Sequence, residues 1–568
     1  MYFTLAISAA TRDGCAGLVR QAQDTDPRAM PMPGPAQVAW RSPDGRAAML
    51  SWGAAGRAVR PGGPEPRAAT SHGRTIWADQ AAAGPGTVRA RTSLARVDPV
   101  YLAEIPGAVV LSDRACWAAA VTGRLGDHDP VMAGAFLSLG YPAGDATPFR
   151  GVRALGGGRR LRATGGKLIM TRAAGHAPGP QAAPGQDTGD LRPADRAAGR
   201  VAATLAEAVR PLAHAAAPVE LSLTGGKDSR LVAAALTAAG VPFRARTHGF
   251  ERHPDVVIAG MIASRLGIEH TITEPRPPGA PGEADVLGRL RSAVLVGDGM
   301  LSAFENVGSW VSQGEPTAAA RPVQAGGHGG ELLRGGYAQA AWRSPAALSA
   351  VGAAELFRRM TTRRLNLLRP AAAAAYLASL APSAAALGRG PLSALDDFYL
   401  VNRAGRWSAA ARQAYLLRSP LVQPLFADRV VRAARAVPLR DRMSDRLHRD
   451  VLASLCPELA ALPLAGSPWH GEPRTPANVL PGPAAIGDWR RDYGEGLAAF
   501  LRGYVLDHGE ASRLFGIVRR RAAERALRSP HADPHADPHA AWALATLAAL
   551  VSGDWLNARE PTSQAVAS

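Results

Sequence analysis

Near the middle of the chain, Thr224-Gly225-Gly226-Lys227-Asp228-Ser229 brings together two glycines, two hydroxyls, a lysine and a carboxylate. Adjacent glycines let the backbone come close to a ligand, and a helix that follows opens with unpaired N–H donors. Such a turn is an anion site. Thr224 and Ser229 add hydroxyl donors, whereas Asp228 would repel a bound phosphate unless a cation lay between them, so the pattern calls for Mg²⁺ at Asp228. The spacing is not that of the Walker loop, which needs Gly, four residues and then Gly-Lys-Ser/Thr.

The elements that must position this turn are legible on either side of it. Val219 to Leu223 alternates like a strand, and Arg230 to Ala239 is helix-forming. A second strand, Val241 to Thr247, ends in His248-Gly249, and a helix over Asp255 to Leu266 stops at Gly267. This is an α/β repeat with ligands expected at the carboxyl ends of the strands, which makes Leu223, Thr247 and His248 candidates beside the loop. The loop resembles the pyrophosphate loop, Ser-Gly-Gly-x-Asp-Ser, of ATP pyrophosphatases such as asparagine synthetase, with Thr224 in place of the first serine. The resemblance implies cleavage of ATP between its α and β phosphates to give an acyl-adenylate and pyrophosphate.

Gln324 to Tyr337, QAGGHGGELLRGGY, has glycines on both sides of Glu331. It resembles the second signature of that family, Gly-Glu-Gly-Ala-Asp-Glu-Leu-Phe-Gly-Gly-Tyr. In that register Gly326 and Gly327 lie at the ATP, and Glu331 takes the place of a metal-binding aspartate, so that Asp228 and Glu331 would hold Mg²⁺ between them. His328 falls where asparagine synthetases have a glutamate and β-lactam synthetases a tyrosine that helps to deprotonate the attacking amine. A histidine, with a reference pKa near ~6.5, suits a general base; the bland alternative is a ring that only hydrogen-bonds or stacks. Arg418 to Asp428 resembles the family's Arg-x-Pro-Phe-Leu-Asp region, beyond which a family lysine contacts the α-phosphate. This chain has no lysine after Lys227, so the resemblance passes that role to arginine, with Arg446 and Arg449 as candidates and exposed helical arginines as the alternative reading.

The net charge of +18 would suggest an acidic partner or nucleic acid. Lysine occurs only at Lys167 and Lys227, however, so the charge is almost all arginine, and no basic stripe interleaves with aromatics; nucleic acid is not the expected partner. Cys15, Cys116 and Cys456 form neither a disulfide framework nor a zinc pattern, which fits a reducing cytoplasm. The N-terminal stretch reads as a first strand, and the longest apolar helical segment, Ala540 to Val551, is too short to span a bilayer. His531, His535 and His539 repeat at spacing four, but the prolines between them break any shared helical face. Trp542 to Leu556 reads as a closing core helix.

Residues 1–172 carry short β-like runs such as Ala48 to Trp52 and Ala108 to Ser112, and 173–193 is a Pro- and Gly-rich linker. Pro106 to Arg114, Tyr141-Pro142 and Thr147 to Leu155 look like the later half of the family's glutaminase domain. That glutaminase uses a cysteine as its second residue; here Tyr2 stands there, and Cys15 is expected to pack rather than react. The expected fold is α/β: an inactive, Ntn-type glutaminase-like α+β sandwich over 1–172, then a Rossmann-like ATP-pyrophosphatase domain with added helices over 194–568. Without an ammonia source, the amine must come from the substrate. The resemblance therefore implies a lasso peptide cyclase, which adenylates an Asp or Glu side chain of a leader-stripped precursor peptide and joins it to the peptide's N-terminal amine. A leader-binding protein and a leader protease would be its partners. A β-lactam synthetase or asparagine synthetase-like ligase on a small amino acid, and a non-catalytic peptide-presenting module, stay open as alternatives.

Overall fold

The computed structural model describes residues 3–24, 37–52, 76–79, 87–172, 193–274, 282–305, 321–342, 349–416, 419–480, 494–529 and 536–557. Tyr2, Arg418, His531, His535 and nearly all of the expected linker lie outside the described residues.

Residues before 173 build two antiparallel sheets. One has six strands in the order 37–41, 47–52, 3–9, 108–112, 101–105, 152–154; the other has four, in the order 167–172, 159–164, 87–91, 76–79. Alternation sorts their side chains as a half-buried strand requires. Ala6, Met49, Leu102, Val109 and Leu111 of the first sheet meet Val88, Ala90, Leu161 and Ala163 of the second. The opposite set, Leu5, Ile7, Leu50 and Val110, packs on the helices Arg12–Asp24, Ala115–Val121 and Pro130–Leu139. Cys15 is part of that core, and burial pushes its thiol up to about 11, in keeping with a packing role.

Residues after 218 form a parallel sheet of five strands in the order 270–273, 243–248, 219–222, 323–325, 421–422. The molecule is thus a mixed α/β protein. Val219–Ser222 is central, yet it carries Glu220, which is buried. A buried carboxylate needs partners, and register supplies them, because Glu220 lies opposite both Arg244 and Gln324. Arg244 and Gln324 contact it at 2.9 and 2.8 Å, and Arg246 at 3.1 Å. Strand order, though not chain direction, reverses beside this strand: the next strand in sequence pairs with one side of it and 323–325 with the other, both parallel, which makes the crevice at their carboxyl ends the switch point where ligands are expected.

The hydrophobic core does not divide at the linker. Helices Glu283–Gly297, Glu495–Leu506 and Pro538–Ser552 pack into the same cluster as the first antiparallel sheet. The last of these starts four residues before the expected Trp542, with Asp537 accepting from the Ala540 N–H as its cap. Asp537 and Pro538 belong to the final copy of the histidine repeat, and His539 of that copy rests on Phe304 with ring centroids 3.8 Å apart. Buried arginines pin the two parts together. Arg114 donates to Asp298 at 2.9 and 2.5 Å, and Arg412 donates to Asp98 at 2.7 Å. No single helix among the described residues is long and apolar enough to cross a membrane, although the bent pair Pro370–Ser379 and Ala381–Leu387 together match such a segment in length and composition.

Candidate active site

The polar turn follows the central strand directly, and its helix starts at Lys227 with Gly226 as the extended residue before it. Internal bonds fix its shape. Ser229 Oγ accepts from the Thr224 N–H and is hydrogen-bonded to Thr224 Oγ1, both at 3.0 Å, while the Gly225 N–H donates to Asp255 at 2.9 Å. Thr247 is buried; its hydroxyl donates to the Leu223 carbonyl at 2.8 Å and meets His270 Nε2 at 2.8 Å. Its side chain therefore braces the loop from behind, as does the buried Leu223. His248 ends its strand exposed to solvent.

The second Gly-rich stretch docks against this loop. A Cβ on Gly327 would stand 2.5 Å from Ser229 N, and one on Gly330 would stand 2.1 Å from Asp228 Oδ1. Only glycine permits that approach. Gly326, by contrast, has open space at its Cβ position apart from the His328 ring. The tight turn Gly330–Arg334 places Glu331 beside Asp228.

Arg334 occupies the middle of this meeting point. It donates to both oxygens of Asp228, at 3.1 and 2.8 Å, and its charge also lowers the pKa of Glu331. Lys227 reaches across to Asp445 at 2.5 Å and to the Pro468 carbonyl at 2.9 Å, with its ammonium 4.8 Å from the Trp469 ring centroid. Asp445 in turn accepts from Gln339 at 2.6 Å and holds a left-handed backbone, φ 62°, a conformation uncommon outside glycine. Asp228, Glu331 and Asp445 thus face Arg334 and Lys227, three carboxylates to two cations.

The three carboxyls differ in acidity, and Asp445 is held below the usual range by Lys227 despite its burial. Burial, with the nearby Glu331 charge, raises the Asp228 carboxyl to about 6 despite Arg334 and Lys227. Burial would also raise Glu331, but Arg334 and the Tyr399 hydroxyl outweigh it and hold the group below the usual range. His448 is fully buried; burial and the Arg334 charge push it down to about 3, so it is neutral. Its Nε2 lies 3.2 Å from the Lys227 carbonyl and its Nδ1 faces Asp228 at 3.7 Å without a hydrogen bond.

His328 is open to water yet has protein packed around it, the signature of a side chain lining a recess. Burial lowers its pKa and the Arg403 charge adds to this, while Glu331 opposes them. Its ring lies 6.1 Å from Trp407, and its nitrogens hydrogen-bond to nothing among the described residues.

Leu223 to Ser229, Gly327 and Glu331 are therefore brought together, with His328 at the rim. Arg446 and Arg449 are not the cations at the centre. Arg446 is engaged by Asp450 one helical turn on, and Arg449 by Glu472 at 2.7 Å, with both side chains well exposed. Arg334 is the cation at the centre, bonded to both oxygens of Asp228. The signal was present in the quoted stretch: an arginine stands where the family signature has phenylalanine, inside a turn dense with glycine.

The match to known families agrees with this geometry. The family model described as asparagine synthase matches residues 200–552, more than half of the 568-residue chain. The chain belongs to the asparagine synthase family. Members of this family are ATP-dependent, AMP-forming ligases, so the loop and the Gly-rich turn are read as parts of an ATP-dependent carbon–nitrogen ligase. No curated protein matches the chain.

Proposed function

We propose that this asparagine synthase family member activates a carboxylate as its acyl-adenylate and closes an amide with an amine carried by the same substrate. The observation that supports this is the state of the thiols. The first 172 residues contain only Cys15 and Cys116, and both are buried in the core, with burial raising each thiol pKa. A glutaminase needs an accessible thiolate. With no such thiol here, ammonia is not made on site and the substrate brings its own nucleophile.

The substrate assigned is a leader-stripped precursor peptide whose Asp or Glu side chain is joined to its N-terminal amine, as in lasso peptide cyclases. A leader-binding protein and a leader protease would act beside it. The N–H groups at the start of the helix Lys227–Ala238, with the hydroxyls of Thr224 and Ser229, would hold pyrophosphate, and Lys227 and Arg334 would share its charge. The three carboxylates to two cations leave room for a further positive charge, and hard oxygen donors suit Mg²⁺. Asp228 and Glu331 would hold it, and it would neutralise the triphosphate. Among the described residues no three metal-ligating side chains form a ready-made cluster, consistent with an ion that takes most of its ligands from phosphates and water.

The substrate carboxylate attacks the α-phosphorus and the bond to the β-phosphate breaks, releasing pyrophosphate. The amine then attacks the acyl carbon, AMP leaves, and the amine's proton passes to His328. Burial keeps that ring neutral at physiological pH and hence able to accept a proton. The test is pyrophosphate and AMP release with Mg²⁺ and ATP, with and without a candidate core peptide. Release that depends on glutamine or free ammonia, rather than on a substrate amine, would overturn the reading.

A further inference from the structure

The chain that follows Pro391–Phe398 turns with unusually wide winding over Tyr399–Ser408, where the Ala409 N–H bonds back to the Ala404 carbonyl five residues earlier. Wide turns of this type recur at functional sites because they re-aim side chains. Here they divide the segment between two tasks. Asn402 and Arg406 face the first 172 residues, Asn402 accepting from the Gly144 N–H at 2.8 Å and Arg406 donating to the Ala146 carbonyl. Tyr399, Arg403 and Trp407, each four residues from the next, line the other side. Tyr399 bonds to Glu331 and Trp407 lies beside His328, so this strip looks onto the recess of the candidate active site.

Arg403 is the unexplained member. Its guanidinium carbon sits 3.6 Å from the Trp407 ring centroid and 5.7 Å from that of Tyr141. Stacking of this kind fixes the guanidinium plane and leaves its N–H edge free to donate. Among the described residues nothing accepts from that edge and no carboxylate pairs with it. Glu305 feels the Arg403 charge, but its carboxyl takes the Trp407 indole N–H. The rest of the wall is aromatic: Tyr141 and Tyr337 share a hydrogen bond at 2.5 Å, and Tyr337 meets Tyr399 edge to face at 5.2 Å. A braced arginine in an aromatic recess, with its donors unused, is a receptor for a planar anion.

We propose that Arg403, held between Trp407 and Tyr141, binds a carboxylate of the substrate beside His328, and that the first 172 residues, having no reactive thiol to offer, supply Tyr141 as one wall of this subsite. The inference rests on the ligase reading for the meaning of the recess, and its experiment is independent of turnover.

The full-length protein is titrated with three probes: N-acetyl-glutamate α-amide, which carries only a side-chain carboxylate; N-acetyl-glutamine, which carries only an α-carboxylate; and the diamide, which carries neither. Binding is read as the tryptophan fluorescence change that disappears in Trp407→Phe. ATP affinity is measured on the same samples by equilibrium dialysis. Saturable binding of an acid but not of the diamide is expected, and the stronger acid tells a side-chain carboxylate from a chain terminus. Arg403→Gln should weaken the acid by roughly ten- to hundredfold, the range for hydrogen bonds to charged groups, with ATP affinity unchanged. Trp407→Leu, which removes the brace and keeps the charge, should weaken it severalfold.

Equal binding of the acids and the diamide, no binding of either acid, or undiminished acid binding by Arg403→Gln would overturn the assignment. Loss of ATP affinity in Arg403→Gln would also overturn it, by moving Arg403 to the nucleotide. Failure of the ligase reading looks different, because the native protein would then not bind ATP while the acid titration kept its result.

Discussion

Asp228 is held in a state that costs the fold something. Its ordinary carboxyl pKa is 3.8 and burial raises it to about 6, so between those values the folded chain holds a proton that the unfolded chain releases. Stability from this group therefore falls as pH rises from about 4 to 6 and does not return above that. Asp228→Asn should melt no lower than the native protein at pH 8, by calorimetry, while losing pyrophosphate release. A clear fall in melting temperature would show that the Arg334 pair outweighs burial. Arg334 is the converse case, a cation that balances three carboxylates. Arg334→Met should lower pyrophosphate release by roughly a hundredfold or more, the scale of losing a charged stabiliser in a desolvated site, and Arg334→Lys should restore only part of it. The carboxylate, the hydroxyls and the glycines of this site were legible in sequence because loop chemistry is local. Arg334 was not, because its importance depends on a turn that folds it back over a residue 106 positions away.

At the scale of elements, the site is two loops pressed together, and glycine sets the distance. With a Cβ at Gly330 only 2.1 Å from Asp228 Oδ1, Gly330→Ala must displace the carboxylate or open the turn. We expect a folded protein, by circular dichroism, with Mg²⁺-dependent ATP binding weakened at least tenfold; the neighbouring Gly326→Ala, with open space at its Cβ, should change it far less. The strands at 219–222 and 243–248 and the helix Pro254–Leu266 follow from alternation, a proline start and a glycine stop, all short-range signals. The wide-turned segment Tyr399–Ser408 carries no such signal, since its winding answers to contacts on both sides. The Thr247 side chain was expected to face ATP because it ends a strand; the pleat turns it inward instead, onto Leu223.

At the scale of the whole molecule, the linker expected at 173–193 separates stretches of sequence more cleanly than it separates cores. One apolar cluster runs from the first antiparallel sheet through helices drawn from 283 to 552, and no single-sequence pattern announces which distant helices share a core. The Arg114–Asp298 pair is buried at that junction. Asp298→Ala leaves the arginine buried without its counter-charge, which should cost about 3–5 kcal/mol and lower the melting temperature of the whole chain in one transition. A separate early transition confined to one part would show that the two parts fold independently.

The central claim is that the amine comes from the substrate. The most direct measurement is a mass spectrum of a candidate core peptide incubated with the protein, ATP and Mg²⁺, alongside pyrophosphate release and without glutamine or ammonia. Loss of one water from the peptide, with pyrophosphate formed in step and both absent for Asp228→Ala, is the predicted result. An unchanged peptide, together with pyrophosphate release that appears only when free ammonia or glutamine is supplied, would contradict it.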